Sequence, residues 1–264
     1  MKTCSINGTN LSFVDRGSGP VLILAHGFPL DHSMWIGQIE TLSARYRLIA
    51  PDLRGFGQSG VSDSLATMEQ FADDLAALLD YLAVREPAVL CGLSMGGYVA
   101  LEFWRKYAQR LRGLIFCDTR AANDSPETAA ARLVLAQRVT SEGTQSVADT
   151  MIPRLFDPST LQRRPHLIEN MRQVIERTDP RSIAATARGM AQRSDFTAEL
   201  HNIACPALLI VGASDVITPV TEMQQMARAV PNAQFTVIEH AGHMAPLEQP
   251  DAVNAAIESF LKRL

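Results

Sequence analysis

Pro87-Ala88-Val89-Leu90-Cys91-Gly92-Leu93-Ser94-Met95-Gly96-Gly97-Tyr98 is an apolar run that ends in a serine set among glycines, and its order reads strand, sharp turn, helix. The helical pattern continues to Tyr107. Gly92 and Gly96 lack the Cβ that would collide where a strand and a helix close on one another, and a serine held at such a turn exposes its hydroxyl. Ser94 then stands at the amino end of the following helix beside the Met95 amide, where the positive end of the helix dipole favours developing negative charge. Acyl transfer needs that charge stabilised.

Outward from this turn the chain alternates. Residues 3–6 and 11–15 flank Asn7-Gly8-Thr9-Asn10, whose Asn-Gly step favours a hairpin and so an antiparallel edge. Six short apolar runs follow, at 21–25, 46–50, 88–91, 114–117, 207–211 and 235–238, and runs of this kind suit strands buried on both faces. Between them lie helical patterns. In Thr67 to Leu82, Phe71, Leu75, Leu78, Leu79 and Leu82 recur at helical spacing and Thr67 with Gln70 forms a capping-box signal. Alternating strands and helices predict an α/β fold with a mostly parallel sheet covered on both faces, and in such sheets ligands bind beyond the carboxyl ends of the strands. His26, Ser94, Asp118 and Asp215 all fall just after apolar runs, along that edge.

The alternation stops from about Ala121 to Ile203, which reads as helices with breaks at Pro126, Gly143, Pro153, Pro158, Pro165 and Pro180. The expected organisation is therefore a core of residues 1–120 and 204–264, with 121–203 inserted as a helical cap over the crevice. Met151, Leu155, Phe156, Met171 and Met190 are the candidates for its pocket lining, although apolar residues at helical spacing also serve plain packing.

Composition narrows the classes. With 24 Lys and Arg against 28 Asp and Glu in 264 residues, and the cations scattered, no basic face for nucleic acid is expected. No run of about 18 apolar residues exists for a membrane span, and Met1-Lys2-Thr3-Cys4-Ser5 lacks the apolar stretch of a secretory signal, so the expected compartment is the cytoplasm. Cys4, Cys91, Cys117 and Cys205 are widely separated and read as reduced packing residues. No zinc-ligand spacing is present, and neither a metal nor a cofactor is expected. Whether the chain works alone or as a homo-oligomer is left open by the sequence.

A serine hydroxyl is a weak nucleophile and needs a base to take its proton and an acid to orient the base. His243 lies in Glu239-His240-Ala241-Gly242-His243-Met244, between the last strand and the last helix, and Asp215 follows the preceding strand. The order Ser94, Asp215, His243 is the one expected when the nucleophile sits on a strand-to-helix elbow. Asp118 is the rival acid and His240 the rival base. His26-Gly27-Phe28-Pro29, after the strand at 21–25, lets the chain bend so that the Phe28 amide joins that of Met95 in a two-donor oxyanion hole.

Taken in order, His26-Gly27-Phe28-Pro29, Asp52-Leu53-Arg54-Gly55-Phe56-Gly57-Gln58-Ser59, Gly92 to Gly97, Asp215 and Gly242-His243 resemble the capped, single-domain branch of the α/β-hydrolase superfamily, over essentially the whole chain outside the insertion. That resemblance implies an eight-stranded sheet and a serine hydrolase acting on small carboxylic esters or lactones, with Ser94, Asp215 and His243 as triad and Phe28 and Met95 as oxyanion hole. Asp52 and Arg54 match a loop regarded as structural. The elbow is similar to that of 3-oxoadipate enol-lactonases and of bacterial esterases that also act as perhydrolases, whereas the His-Gly-Phe-Pro form departs from the enol-lactonases. A serine at 94 differs from haloalkane dehalogenases and epoxide hydrolases, which use aspartate. Other readings are a carbon–carbon bond hydrolase or lyase with the same triad, and a ligand-binding signalling protein on a hydrolase fold. Arg120 is expected to form a structural ion pair, with a substrate carboxylate as its other possible partner.

Overall fold

The computed structural model describes residues 1–62 and 64–264. Strand β1 (Lys2–Ile6) turns back into β2 (Thr9–Arg16) through Asn7 and Gly8 alone. Their φ angles are +45° and +73°, the left-handed pair that a two-residue hairpin requires. The turn is thus tighter than expected, and Thr9 and Asn10 are paired residues of β2, facing Ile6 and Ser5.

β3 (Val21–Ala25), β4 (Arg47–Pro51), β5 (Ala88–Leu93), β6 (Leu111–Cys117), β7 (Ala207–Gly212) and β8 (Ala233–Ile238) complete one eight-stranded sheet in the order β1-β2-β4-β3-β5-β6-β7-β8. β1 and β2 pair antiparallel at one edge, and every pairing from β4 to β8 is parallel. Every residue of β5 and of β7 is buried. Central parallel strands reach that state only when helices cover both faces.

The helices of this layer are α1 (Ile36–Leu42), α2 (Met68–Tyr81) and α3 (Met95–Tyr107). Thr67 caps α2 as its sequence predicts, its side chain accepting from the Gln70 amide at 3.2 Å. Five helices then run consecutively between β6 and β7: α4 (Pro126–Glu142), α5 (Gln145–Leu155), α6 (Pro158–Arg163), α7 (Pro165–Arg177) and α8 (Pro180–Met190). Proline suits the first helical position, where its missing N–H has no partner to lose. Pro126, Pro158, Pro165 and Pro180 accordingly open helices, and Gly143, at φ +81°, closes α4. Pro153 departs from expectation: it lies inside α5 two residues from its end, so it forgoes one bond without breaking the helix. After β7 come α9 (Val220–Ala229), the single turn α10 (Ala245–Glu248) and α11 (Pro250–Leu261).

The inserted helices are fastened to the sheet layer by hydrogen bonds far apart in sequence. The Ser62 amide donates to Ser182 Oγ at 3.0 Å, and the Met244 amide donates to the Leu155 carbonyl at 3.1 Å. In the sheet layer, the loop after β4 is built around Asp52, which accepts from the amides of His32 and Gln58, and around a buried Arg54–Asp74 ion pair of 2.7 Å. The polar residues of this loop are thereby consumed in holding the fold together.

One buried acid is expected to make the stability of the fold depend on pH. The Glu102 side chain on α3 is 1% exposed and its Oε1 has no partner. Burial, and then the charge of Glu69, push its pKa up to about 7, with Arg105 opposing them. An acid that ionises less readily folded than unfolded makes the folded state bind the extra proton, so its contribution is greatest below its unfolded value of 4.5 and is lost as pH rises to about 7. Glu102→Gln is expected to raise the thermal midpoint by several degrees at about pH 8 and to leave it little changed at about pH 4.5, as read by calorimetry.

Candidate active site

Ser94 stands between β5 and α3 with φ +52° and ψ −112°, a conformation that L-residues adopt only when their surroundings impose it. Those surroundings are explicit. The Ser94 amide donates to the Cys117 carbonyl at 3.0 Å, and the Ser94 carbonyl accepts from the Gly97 amide at 2.8 Å and from Thr119 Oγ1 at 2.7 Å. A Cβ on Gly92 would lie 2.1 Å from the Gly96 carbonyl oxygen, and one on Gly96 would lie 2.2 Å from that of Ala25. Gly92→Ala therefore cannot be accommodated by a side-chain shift. It is expected to destabilise the protein by at least ~3 kcal/mol in chemical denaturation, and the folded fraction should lose turnover because the Ser94 hydroxyl is displaced.

The segment opposite is held by a buried histidine. His26 Nδ1–H donates to the Gly27 carbonyl at 2.9 Å, and its Nε2 accepts from the Leu53 amide at 2.9 Å, which fixes the neutral tautomer. Burial pulls its pKa down, in keeping with that assignment. Among the described residues, neither the Phe28 amide just beyond it nor the Met95 amide at the start of α3 donates a hydrogen bond. Two uncommitted donors are therefore available near Ser94.

Asp215 and His243 meet across 28 residues of chain, with His243 Nδ1 2.8 Å from Asp215 Oδ2. Both are buried, at 5% and 2% exposed. Asp215 Oδ1 accepts from the amides of Ile217 (2.8 Å) and Thr218 (3.0 Å), and Thr218 Oγ1 donates to Oδ2. Burial alone would raise this carboxyl, but the charge of His243 and these hydrogen bonds outweigh it and hold the pKa below the usual range. Asp215 is thus a fixed anion. The rivals part company here: His240 is exposed, with φ +56°, and its carbonyl accepts from Gln249, whereas Asp118 is fully buried beside Asp215 and, among the described residues, forms no ion pair with a histidine.

Ser94 and His243 line one cavity of roughly 730 Å³, together with Phe28, Tyr98, Met151 and Met190. No hydrogen bond joins the Ser94 hydroxyl to His243. Of the apolar residues expected to line it, Met151 and Met190 do so, whereas Leu155, Phe156 and Met171 are buried elsewhere. Phe156 is buried, and its backbone lies beside the His243 loop, where its carbonyl carbon would be 2.8 Å from a Cβ on Gly242. Arg120 also lines the cavity, but it ion-pairs with Glu222 at 3.3 Å and donates to the Ile217 carbonyl.

Two supporting residues escape sequence reasoning. Thr218 is one, through its bonds to Asp215. Glu248 is the other: it accepts from the Gly242 amide at 2.7 Å and from the Asp157 amide at 2.8 Å, clamping the loop before His243 to the inserted helices. An aspartate followed closely by a threonine, the pattern of an Asx-type turn, is the only local signal for the first; nothing local marks the second.

With this geometry in place, comparison with known proteins is informative. The sequence model of the Alpha/beta hydrolase family matches residues 22–256. 3-Oxoadipate enol-lactonase 2 of Acinetobacter baylyi is 29% identical over 254 residues, covering 96% of this chain and 93% of that protein. Among solved structures, a malate-bound thermophilic esterase from Thermogutta terrifontis is 50% identical with a TM-score of 0.96, over 99% of this chain and 96% of that one. The enol-lactonase of Burkholderia xenovorans is 29% identical with a TM-score of 0.92, over 99% and 100%. The chain belongs to the alpha/beta hydrolase family.

Proposed function

We propose that the protein is a serine hydrolase that cleaves small carboxylic esters or lactones, with Ser94 as nucleophile, His243 as general base and acid, and Asp215 as the acid that orients it. The observation that carries this reading is the buried Asp215–His243 pair opening on the same cavity as a serine held at φ +52°. The names of the esterase and enol-lactonase relatives support it.

The chemistry follows from the bonds. Asp215 accepts from Nδ1–H, which leaves Nε2 as the basic nitrogen of His243. When a substrate draws the pair together, Nε2 takes the Ser94 proton as the oxygen attacks the carbonyl carbon; such bonds are often long before substrate arrives. The amides of Phe28 and Met95 receive the negative charge on the carbonyl oxygen. His243 then protonates the departing alcohol, and the acyl-enzyme is hydrolysed by a water that His243 deprotonates. For a lactone the leaving alcohol stays tethered to the acyl chain, and the same steps open the ring.

Residues 121–203 act as a cap in this reading, selecting substrate by shape while the triad sets rate. No helix among the described residues is long and apolar enough to cross a membrane, and the four unpaired cysteines fit a reducing, cytoplasmic setting. Met151→Ala and Met190→Ala, at the two predicted lining positions that reach the cavity, are expected to change relative kcat/KM among p-nitrophenyl esters of increasing acyl length by roughly 10–200-fold. A panel in which every ester is rescaled equally would remove specificity from the cap, and a panel with no Ser94-dependent turnover would remove the ester reading itself.

A further inference from the structure

Asp118 directly follows β6 with φ +46°, is 0% exposed, and its amide donates to the Ile210 carbonyl at 2.9 Å. Its Oδ1 accepts from the Gly212 amide at 2.8 Å, whereas Oδ2 is buried with no partner. One oxygen of Asp118, one of Asp215 and a ring nitrogen of His243 all lie within 4.8 Å of one another. Two ionised carboxylates this close and buried, with no lysine or arginine ion-paired to either among the described residues, repel one another strongly. The Asp215 carboxylate is the one supplied with donors. The proton therefore belongs on Asp118.

We propose that Asp118 is a positioning residue for the Asp215–His243 pair: it stays protonated on Oδ2, donates to the Asp215 carboxylate, and leaves His243 facing one negative charge rather than two. A second charge would hold the proton on the imidazole and slow its transfer to the leaving alcohol. The titratable groups set around Asp118 are Cys117, which precedes it and whose Sγ lies 3.8 Å from that of Cys91 in β5, Asp215 beyond β7, and His243 in the loop after β8. Burial first, and then the charges of Asp215 and Cys117, hold the Asp118 carboxyl well above the usual range. This role rests on the triad proposed above.

Asp118→Asn keeps both the acceptor for Gly212 and a donor for Asp215 without a titrating proton. In infrared difference spectra of wild type against Asp118→Asn at about pH 8, a protonated-carboxyl stretch that shifts in heavy water is expected in the wild type and lost in the variant. In p-nitrophenyl acetate hydrolysis, Asp118→Asn should keep kcat within tenfold and leave the midpoint of the acid limb of its pH profile in place. Asp118→Ala should lose about 10²-fold in kcat with KM little changed. Absence of the band, or an acid limb moved down by about one pH unit or more in Asp118→Asn, as removal of a nearby charge would cause, overturns the proposal. The band is read without turnover, so it stands or falls independently of whether Ser94 is the nucleophile.

Discussion

Ser94→Ala lowers ester turnover to the level left by binding and the oxyanion donors, a loss of about 10⁶-fold in kcat if the triad acts as a unit. The thermal midpoint should barely move. The substitution removes one hydroxyl that makes no hydrogen bond among the described residues, and alanine can keep the backbone bonds to Cys117, Gly97 and Thr119 that impose φ +52°. Steady-state assays with p-nitrophenyl acetate, paired with calorimetry on the same preparations, separate the two effects. A variant that keeps its fold and a tenth or more of its activity would remove Ser94 from the chemistry.

Asp215→Asn is expected to cost on the order of 10⁴ in kcat. The asparagine fits the same space and can still accept from the Ile217 and Thr218 amides, but its amide group can donate to Nδ1 and so favours the imidazole tautomer with Nε2–H. That tautomer has no lone pair for the Ser94 proton. The loss should fall on kcat with KM little affected, because Asp215 is 5% exposed and is not among the residues lining the cavity. Asp118→Asn is the matched comparison. If Asp118→Asn were the inactive variant and Asp215→Asn the active one, the acid would have been assigned to the wrong strand end.

Much of this arrangement was legible in the sequence because it is carried by local patterns. Apolar runs at 21–25 and 207–211 mark buried parallel strands, and Gly92-Leu93-Ser94-Met95-Gly96 marks a turn that only glycine can pass, as the 2.1 Å and 2.2 Å approaches to Gly92 and Gly96 make plain. The preference for His243 over His240 rests in the sequence on the Gly242-His243 pair in the loop before the last helix; the approach of Gly242 to within 2.0 Å of a Cβ on Gly212, which brings that loop against β7, is visible only in the structure. What was not legible depends on approach between distant segments. Phe156 and Met190 carry equal apolar signals, yet the turn between α5 and α6 sets the Phe156 backbone beside the His243 loop while the end of α8 brings Met190 to the cavity. Glu248 reads as an ordinary helical acid until its bonds to Gly242 and Asp157 are seen. Pro153 read as a break because proline is costly within a helix, but two residues from a helix end its cost is small. The narrower hairpin at Asn7-Gly8 has the same origin, since pairing of Thr9 and Asn10 with β1 overrides their preference for loops.

The central claim is that the Ser94 hydroxyl is made nucleophilic by the Asp215–His243 pair. Incubation with a fluorophosphonate, followed by intact-mass measurement and peptide mapping, tests it most directly. The account predicts one adduct per chain, on the peptide containing Ser94, with loss of esterase activity in proportion to labelling and with labelling slowed by orders of magnitude in His243→Ala but not in His240→Ala. An adduct on another residue, or full esterase activity in protein labelled at Ser94, would contradict it.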